Sequence, residues 1–206
     1  SKEPLLLGEM EVHHITPKVS GGKVTGVGAG TVTITATSNG VSTSKSIQVK
    51  EPTIKLDRET ANIYPPATKT VTFTVTVNGV QGNSGVTWTS GNTKVATVSN
   101  GKVTAVSKGT ATITAKANGK LAKAKVTVKD PYANVSPTSG TIKIGKTLQL
   151  TTNYAPASTG TPSYSSSNKK VATVDSKGVV KGVKAGTATI TVKVNGVTAK
   201  AELTVK

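Results

Sequence analysis

Two adjacent histidines, nine scattered acids and 26 basic residues are the groups in this chain that could do chemistry. His13 and His14 are neighbours on a stretch that reads as a strand. They would point to opposite faces and could not chelate one metal together. Asp57, Glu59, Asp130, Asp175 and Glu202 are spread along the chain. A calcium site needs several oxygen ligands converging on one point, and the sequence holds no DxDxD-type cluster. A catalytic triad needs a histidine near its nucleophile, and both histidines fall within the first fifty residues. The glycine-rich run from Gly26 to Gly30 is followed by neither a helix pattern nor GK[ST], so it does not read as a phosphate loop. No catalytic residue, metal or cofactor is expected, and the remaining chemistry is lysine.

The lysines sit on strands. Ala111, Ile113, Ala115 and Ala117 alternate with Thr110, Thr112, Thr114 and Lys116. Period-two alternation predicts a strand with one buried face. Asn118-Gly119 turns the chain, because both positions of a tight hairpin turn need φ > 0. Ala124, Val126 and Val128 return on the inward face with Lys123 and Lys125 outward. The same reading sends Ala188, Ile190, Val192 and Val194 inward and Thr187, Thr189, Thr191 and Lys193 outward. Asn195-Gly196 turns, then Ala199, Ala201, Leu203 and Val205 face in beside Lys200. Lys116, Lys123, Lys125, Lys193 and Lys200 are therefore the candidate anionic-ligand face, set among threonine hydroxyls. Val71, Phe73, Val75 and Val77 predict one further strand over 71–77.

These strands belong to a repeat. Gly30, Gly109 and Gly186 recur at spacings of 79 and 77 residues, as do the three Asn-Gly turns at 39, 118 and 195. A period near eighty exceeds a solenoid repeat and matches one small domain. Glu51-Pro52 and Asp130-Pro131 close units, since proline cannot donate to a strand ladder. The predicted divisions are 1–52, 53–130 and 131–206, and the short junctions predict a semi-rigid rod. The first unit is abridged. From Gly8 to Gly30 is 22 residues, whereas Gly145 to Gly186 is 41. The shortfall corresponds to Tyr164–Val174 and its approach, so unpaired edges in residues 1–52 invite completion by a protein partner or neighbouring subunit.

Composition agrees with thin β-layers. Hydrophobic residues make up 34% and aromatics 3%, with one Trp and one Phe. Cysteine is absent, which excludes disulfide and thiol chemistry. No run approaches the ~18 apolar residues of a membrane span, so no membrane insertion is expected. Leu5-Leu6-Leu7 is too short for a signal h-region, and the chain reads as a piece of something larger. Net charge is +17. Five lysines oppose four acids in 1–52, eleven basic residues oppose three acids in 53–130, and ten lysines oppose two acids in 131–206. Such a field favours anionic partners, while the plainer role of lysine is to keep a β-rich surface soluble and its edges unpaired. Nucleic acid is not expected, because Phe73 should be buried and exposed stacking aromatics are scarce.

Trp88, Ser90 and Asn92, then Val95-Ala96 and Val98, then Gly101 and Val103, then Gly109, Ala111 and Ile113 follow the order W-x-S-x-N, VA-x-V, G-x-V, G-x-A-x-I. This resembles the bacterial Ig-like domain, group 2. The third unit is similar, with Tyr164 in the tryptophan slot followed by Ser166, Asn168, Val171-Ala172, Val174 and Gly186, while the first matches the later half alone. The resemblance implies an all-β chain of tandem immunoglobulin-like β-sandwich domains, the first incomplete, without a shared catalytic site. Within it, Trp88 should fill the centre between the sheets and give its indole N–H a partner. Asn92 and Asn168 should bond local backbone in a turn, and Gly109 and Gly186 should permit turns that a Cβ would block. Some Ig-like surface domains form a Lys–Asn isopeptide bond beside a buried acid, but no acid here falls on an inward strand face. The resulting expectation is a stalk or adhesion module of a bacterial surface protein, presenting or weakly binding an anionic glycan or cell-wall polymer. The alternative is a phage virion component, a capsid decoration or tail appendage.

Overall fold

The computed structural model describes residues 18–206. His13, His14, Gly8 and Pro17 lie outside the described residues. Among the described residues every regular element is a strand, and the chain divides between Thr53 and Ile54 into two compact units.

The first unit holds two hairpins: β1 (Lys18–Ser20) with β2 (Lys23–Thr25), and β3 (Gly30–Ser38) with β4 (Val41–Val49). Asn39 and Gly40 turn the second hairpin with φ of 51° and 76°. Thr33, Thr35 and Thr37 hydrogen-bond across it to Ser46, Ser44 and Ser42 at 3.2, 2.7 and 2.8 Å. The other face carries buried Val32 and half-buried Ile34, Ala36 and Ile47. Lys45 and Thr43 share that apolar face, so it is only partly dry.

The second unit contains two sandwiches in series. The first runs through β5 (Ile54–Leu56), β6 (Thr60–Ile63), β7 (Thr70–Thr72), β8 (Val75–Val77), β9 (Val80–Gln81), β10 (Thr87–Ser90), β11 (Ala96–Ser99), β12 (Lys102–Ala105), β13 (Gly109–Ala117) and β14 (Lys120–Val128). One layer has the order β10-β13-β14-β6, with β6 parallel to β14. Facing it are β11-β12-β7 and β5-β8-β9. The long β13–β14 hairpin pairs nine residues from each strand, from Gly109↔Val128 to Ala117↔Lys120.

The second sandwich repeats the plan through β15 (Tyr132–Ser136), β16 (Ser139–Ile142), β17 (Thr147–Gln149), β18 (Thr151–Ala155), β19 (Ser163–Ser166), β20 (Ala172–Val174), β21 (Val179–Gly182), β22 (Gly186–Val194) and β23 (Val197–Val205). Its larger layer has the order β16-β23-β22-β19, again with one parallel pair, β16 with β23. The opposing strands are β17-β21-β20 and β15-β18.

Each sandwich has its own core. Ile63, Phe73, Val103, Ile113 and Val126 belong to one cluster of buried side chains, and Leu150, Val180, Ile190, Val192 and Leu203 to the other. Fully burying a side chain of this size contributes roughly 1.5–3 kcal/mol, so these apolar rows dominate what holds each layer pair together.

The strand expected over 71–77 is two strands. β7 pairs with β12 and β8 pairs with β5, so the chain changes partner at Phe73 and Thr74. At the crossing, Phe73 N donates to Gly101 O at 2.9 Å, and Asp57 N donates to Thr74 O at 2.9 Å. Thr74 N in turn donates to Asp57 Oδ1 at 2.9 Å. Phe73 N–H and both backbone groups of Thr74 are therefore paired at the break, as buried polar groups demand. The second sandwich breaks between β17 and β18, where Leu150 N donates to Gly178 O at 2.9 Å.

Candidate functional site

Register places the candidate lysines. Along β13–β14, Lys116 stands opposite Leu121, Thr114 opposite Lys123 and Thr112 opposite Lys125. The ladder continues from Lys116 to Thr87 on β10 and from Lys125 to Thr60 on β6. Side chains two residues apart share a face, so Lys123 and Lys125 are neighbours about 7 Å apart along the strand. Lys116 lies diagonally across from Lys123. All three are exposed, as is the apolar Leu121 at 53%. Neighbouring like charges repel mildly, and a counter-anion relieves that repulsion.

The second sandwich differs. Lys193 stands opposite Thr198, Thr191 opposite Lys200, and Thr189 opposite Glu202. Glu202 therefore occupies the place that Lys125 holds one repeat earlier, next to Lys200 on the same face. Thr189 Oγ1 lies 2.9 Å from both carboxylate oxygens of Glu202 and donates to them. The five lysines thus form two faces of unequal charge: Lys116, Lys123 and Lys125 together in one domain, and Lys193 and Lys200 with a carboxylate between threonine and lysine in the other. The corresponding face of β3–β4 carries Thr and Ser, already bonded to each other.

The repeat-motif residues hold the framework behind these faces. Trp88 is half-buried at the edge of its core, and the fully buried aromatic at the centre is Phe73, at 1% exposure. The indole Nε1 donates to Asn83 Oδ1 at 3.1 Å, and Asn83 Nδ2 donates to Asn100 O at 3.0 Å. Tyr164 takes the tryptophan slot in the second sandwich, its hydroxyl 2.9 Å from Thr152 Oγ1. Both Asn92 and Asn168 accept at Oδ1 from the backbone N–H two residues on, Lys94 at 3.2 Å and Lys170 at 3.1 Å. Gly109 and Gly186 open the long hairpins with φ of 144° and 147°. A Cβ there would sit 2.8 Å from Val95 Cγ2 or 2.9 Å from Val171 Cγ2, so close approach and backbone conformation both call for glycine.

Two ion pairs lie off these faces: Arg58 with Asp57 at 2.6 Å, and Lys108 with Asp130. Among the described residues no group of three or more His, Cys, Asp or Glu could hold a metal. No helix among them is long and apolar enough to cross a membrane.

The structure also brings together residues that sequence reasoning did not single out. Tyr64 and Thr70 from the first sandwich meet Tyr154 and Ser158 from the second around an open cleft of about 420 Å³. The residues are some ninety positions apart, so no local spacing announces them.

Serial two-layer sandwiches with one parallel strand pair, an apolar interior and a hydroxyl-and-ammonium exterior define an immunoglobulin-like module. The model of the bacterial Ig-like domain (group 2) matches residues 53–128 and 132–205, and the chain belongs to that family. A 52-residue stretch is 54% identical to 3-O-alpha-D-galactosyl-alpha-L-arabinofuranosidase of Bifidobacterium longum subsp. longum, covering 24% of this chain and 5% of that protein. Among solved structures, the chain is similar to the S-layer protein rSbsC(31-844), with 23% identity and a TM-score of 0.41, over 100% of this chain and 36% of the other. The I9-I11 tandem from titin is similar at 16% identity and a TM-score of 0.36, over 98% and 88% of the two chains. Extracellular domains 3-5 of Drosophila OTK give 12% identity and a TM-score of 0.33, over 86% and 70%.

Proposed function

We propose that this chain is a non-catalytic segment of a bacterial surface protein. It spaces and presents, and the Lys116–Lys123–Lys125 face makes weak contacts with anionic cell-wall or surface polymers outside the cell. The observation that carries the second part is the clustering itself. Three exposed ammonium groups share one sheet face with threonine hydroxyls, on a chain of net charge +17. An extended phosphate- or carboxylate-bearing polymer can run across such a face, its charges met by lysine and its hydroxyls by threonine. Each contact is solvent-exposed and therefore individually weak and screened by salt.

The test is binding of the full chain to poly(glycerol phosphate) across a salt series. The combined variant Lys116→Gln, Lys123→Gln, Lys125→Gln should lose about tenfold in affinity at low salt, which is roughly 0.5 kcal/mol per exposed charge. Lys193→Gln with Lys200→Gln should change it by less than about twofold. Equal losses from both variants, or an affinity indifferent to salt, would remove this reading.

A further inference from the structure

We infer that the cleft between the two sandwiches of residues 54–206 is a binding site for a neutral saccharide. It lies where Asn62, Tyr64 and Thr70 of the first sandwich face Tyr154, Pro156 and Ser158 of the second, and it has a volume of about 420 Å³. That volume falls within the ordinary range of small-ligand sites, which favour domain junctions. All ten of its lining residues are uncharged, although the chain carries 26 basic residues and nine acids. A polyanion would gain little there. A pyranose presents apolar C–H faces and a rim of hydroxyls. Two tyrosines, a proline, an amide and two aliphatic hydroxyls supply both kinds of partner, and tyrosine combines an apolar body with a polar tip.

Both walls are pinned before any ligand arrives. On one side Tyr64 N donates to Thr68 Oγ1 at 2.9 Å, and Thr68 N donates back to Tyr64 O at 2.9 Å, closing a tight loop that fixes Tyr64. On the other, Asn195 Nδ2 donates to Pro156 O at 2.8 Å while Thr159 Oγ1 donates to Asn195 Oδ1 at 3.1 Å. The loop after Tyr154 is thereby tied to the β22–β23 turn. A Cβ at Gly160 would stand 2.5 Å from Asn195 Oδ1, so glycine lets that contact form. The Tyr154 hydroxyl reaches Gly160 O only at 3.5 Å, a weak bond that a sugar hydroxyl can replace. Pre-organised walls lower the ordering cost of binding.

The site is independent of the lysine face, and its failure reads differently. Isotope-labelled full chain titrated with chitotriose, maltotriose and xylotriose should show Tyr64 and Tyr154 ring resonances shifting with at least one of them. The affinity should lie in the millimolar range, about 1 mM, as suits an open cleft. It should hold steady as salt rises, unlike polyanion binding. Tyr64→Ala and Ala157→Trp, one removing a wall and the other filling the space from an exposed loop position, should each weaken it at least about fivefold, about 1 kcal/mol. Circular dichroism confirms the fold of each variant. No ring shift with any of the three at about 10 mM, binding retained in both variants, or affinity that falls with salt would overturn the inference.

Discussion

Phe73 does at the centre of the first sandwich what one large aromatic can do among small side chains. It is 1% exposed and packs among valines, alanines and isoleucines, with the Arg58 guanidinium carbon 4.9 Å from its ring centroid. Asp57 and the Thr72 carbonyl hold that guanidinium in place. Phe73→Ala should cost about 3–5 kcal/mol in urea unfolding, because surrounding Val and Ala side chains are too short to refill the space. Arg58→Met keeps the aliphatic cover and loses the cation, so it should cost about 0.5–1 kcal/mol by the same measurement. Gly109→Ala belongs to a different mechanism. Its backbone lies where L side chains are strained, and the new methyl meets Val95 at 2.8 Å. A loss of about 1–3 kcal/mol is expected, with the unfolding slope unchanged.

Hairpins are the elements on which charge is arranged, and the charge of one repeat's face differs from the next by a single exchange. Glu202 stands where the earlier copy has Lys125, so Glu202→Lys should raise affinity for poly(glycerol phosphate) about three- to tenfold at low salt. Lys125→Glu should lower it by a similar factor, and surface plasmon resonance at two salt concentrations checks both. The faces of these hairpins were legible in the sequence, because alternation with an Asn-Gly turn reports which side chains share a side. Alternation does not report ladder partners. Val71, Phe73, Val75 and Val77 keep their common side through the break, so the pattern runs on while the chain moves from β12 to β5. Trp88 misled for a related reason: a lone tryptophan beside valines reads as the centre of a core. Its length instead carries the indole to Asn83 at the core's edge, and Phe73 is left in the middle. The Tyr64–Tyr154 cleft was illegible because it exists only where residues of two different sandwiches meet.

For the molecule as a whole, the decisive fact is that residues 54–206 hold two clusters of buried side chains with no member in common. Cooperativity follows packing, and a chain with two cores can lose one while keeping the other. Phe73 and Leu150 mark equivalent places, each 1% exposed and each at the point where a strand changes its ladder partner. Leu150→Ala should therefore cost about 2–5 kcal/mol in the second sandwich alone. Hydrogen exchange of the full chain should show β22–β23 amides losing protection in that variant while β13–β14 amides keep theirs, and Phe73→Ala should give the mirror image. Coupling between the two sandwiches has two routes: the Asp130-Pro131 junction, where proline interrupts the ladder, and the residues that line the Tyr64–Tyr154 cleft. If both variants lowered protection equally on both sides, the two sandwiches would be one cooperative unit. The pinned loops around Tyr64 and Tyr154 would then be the first place to look for the link, by repeating the exchange with Ala157→Trp wedged between them.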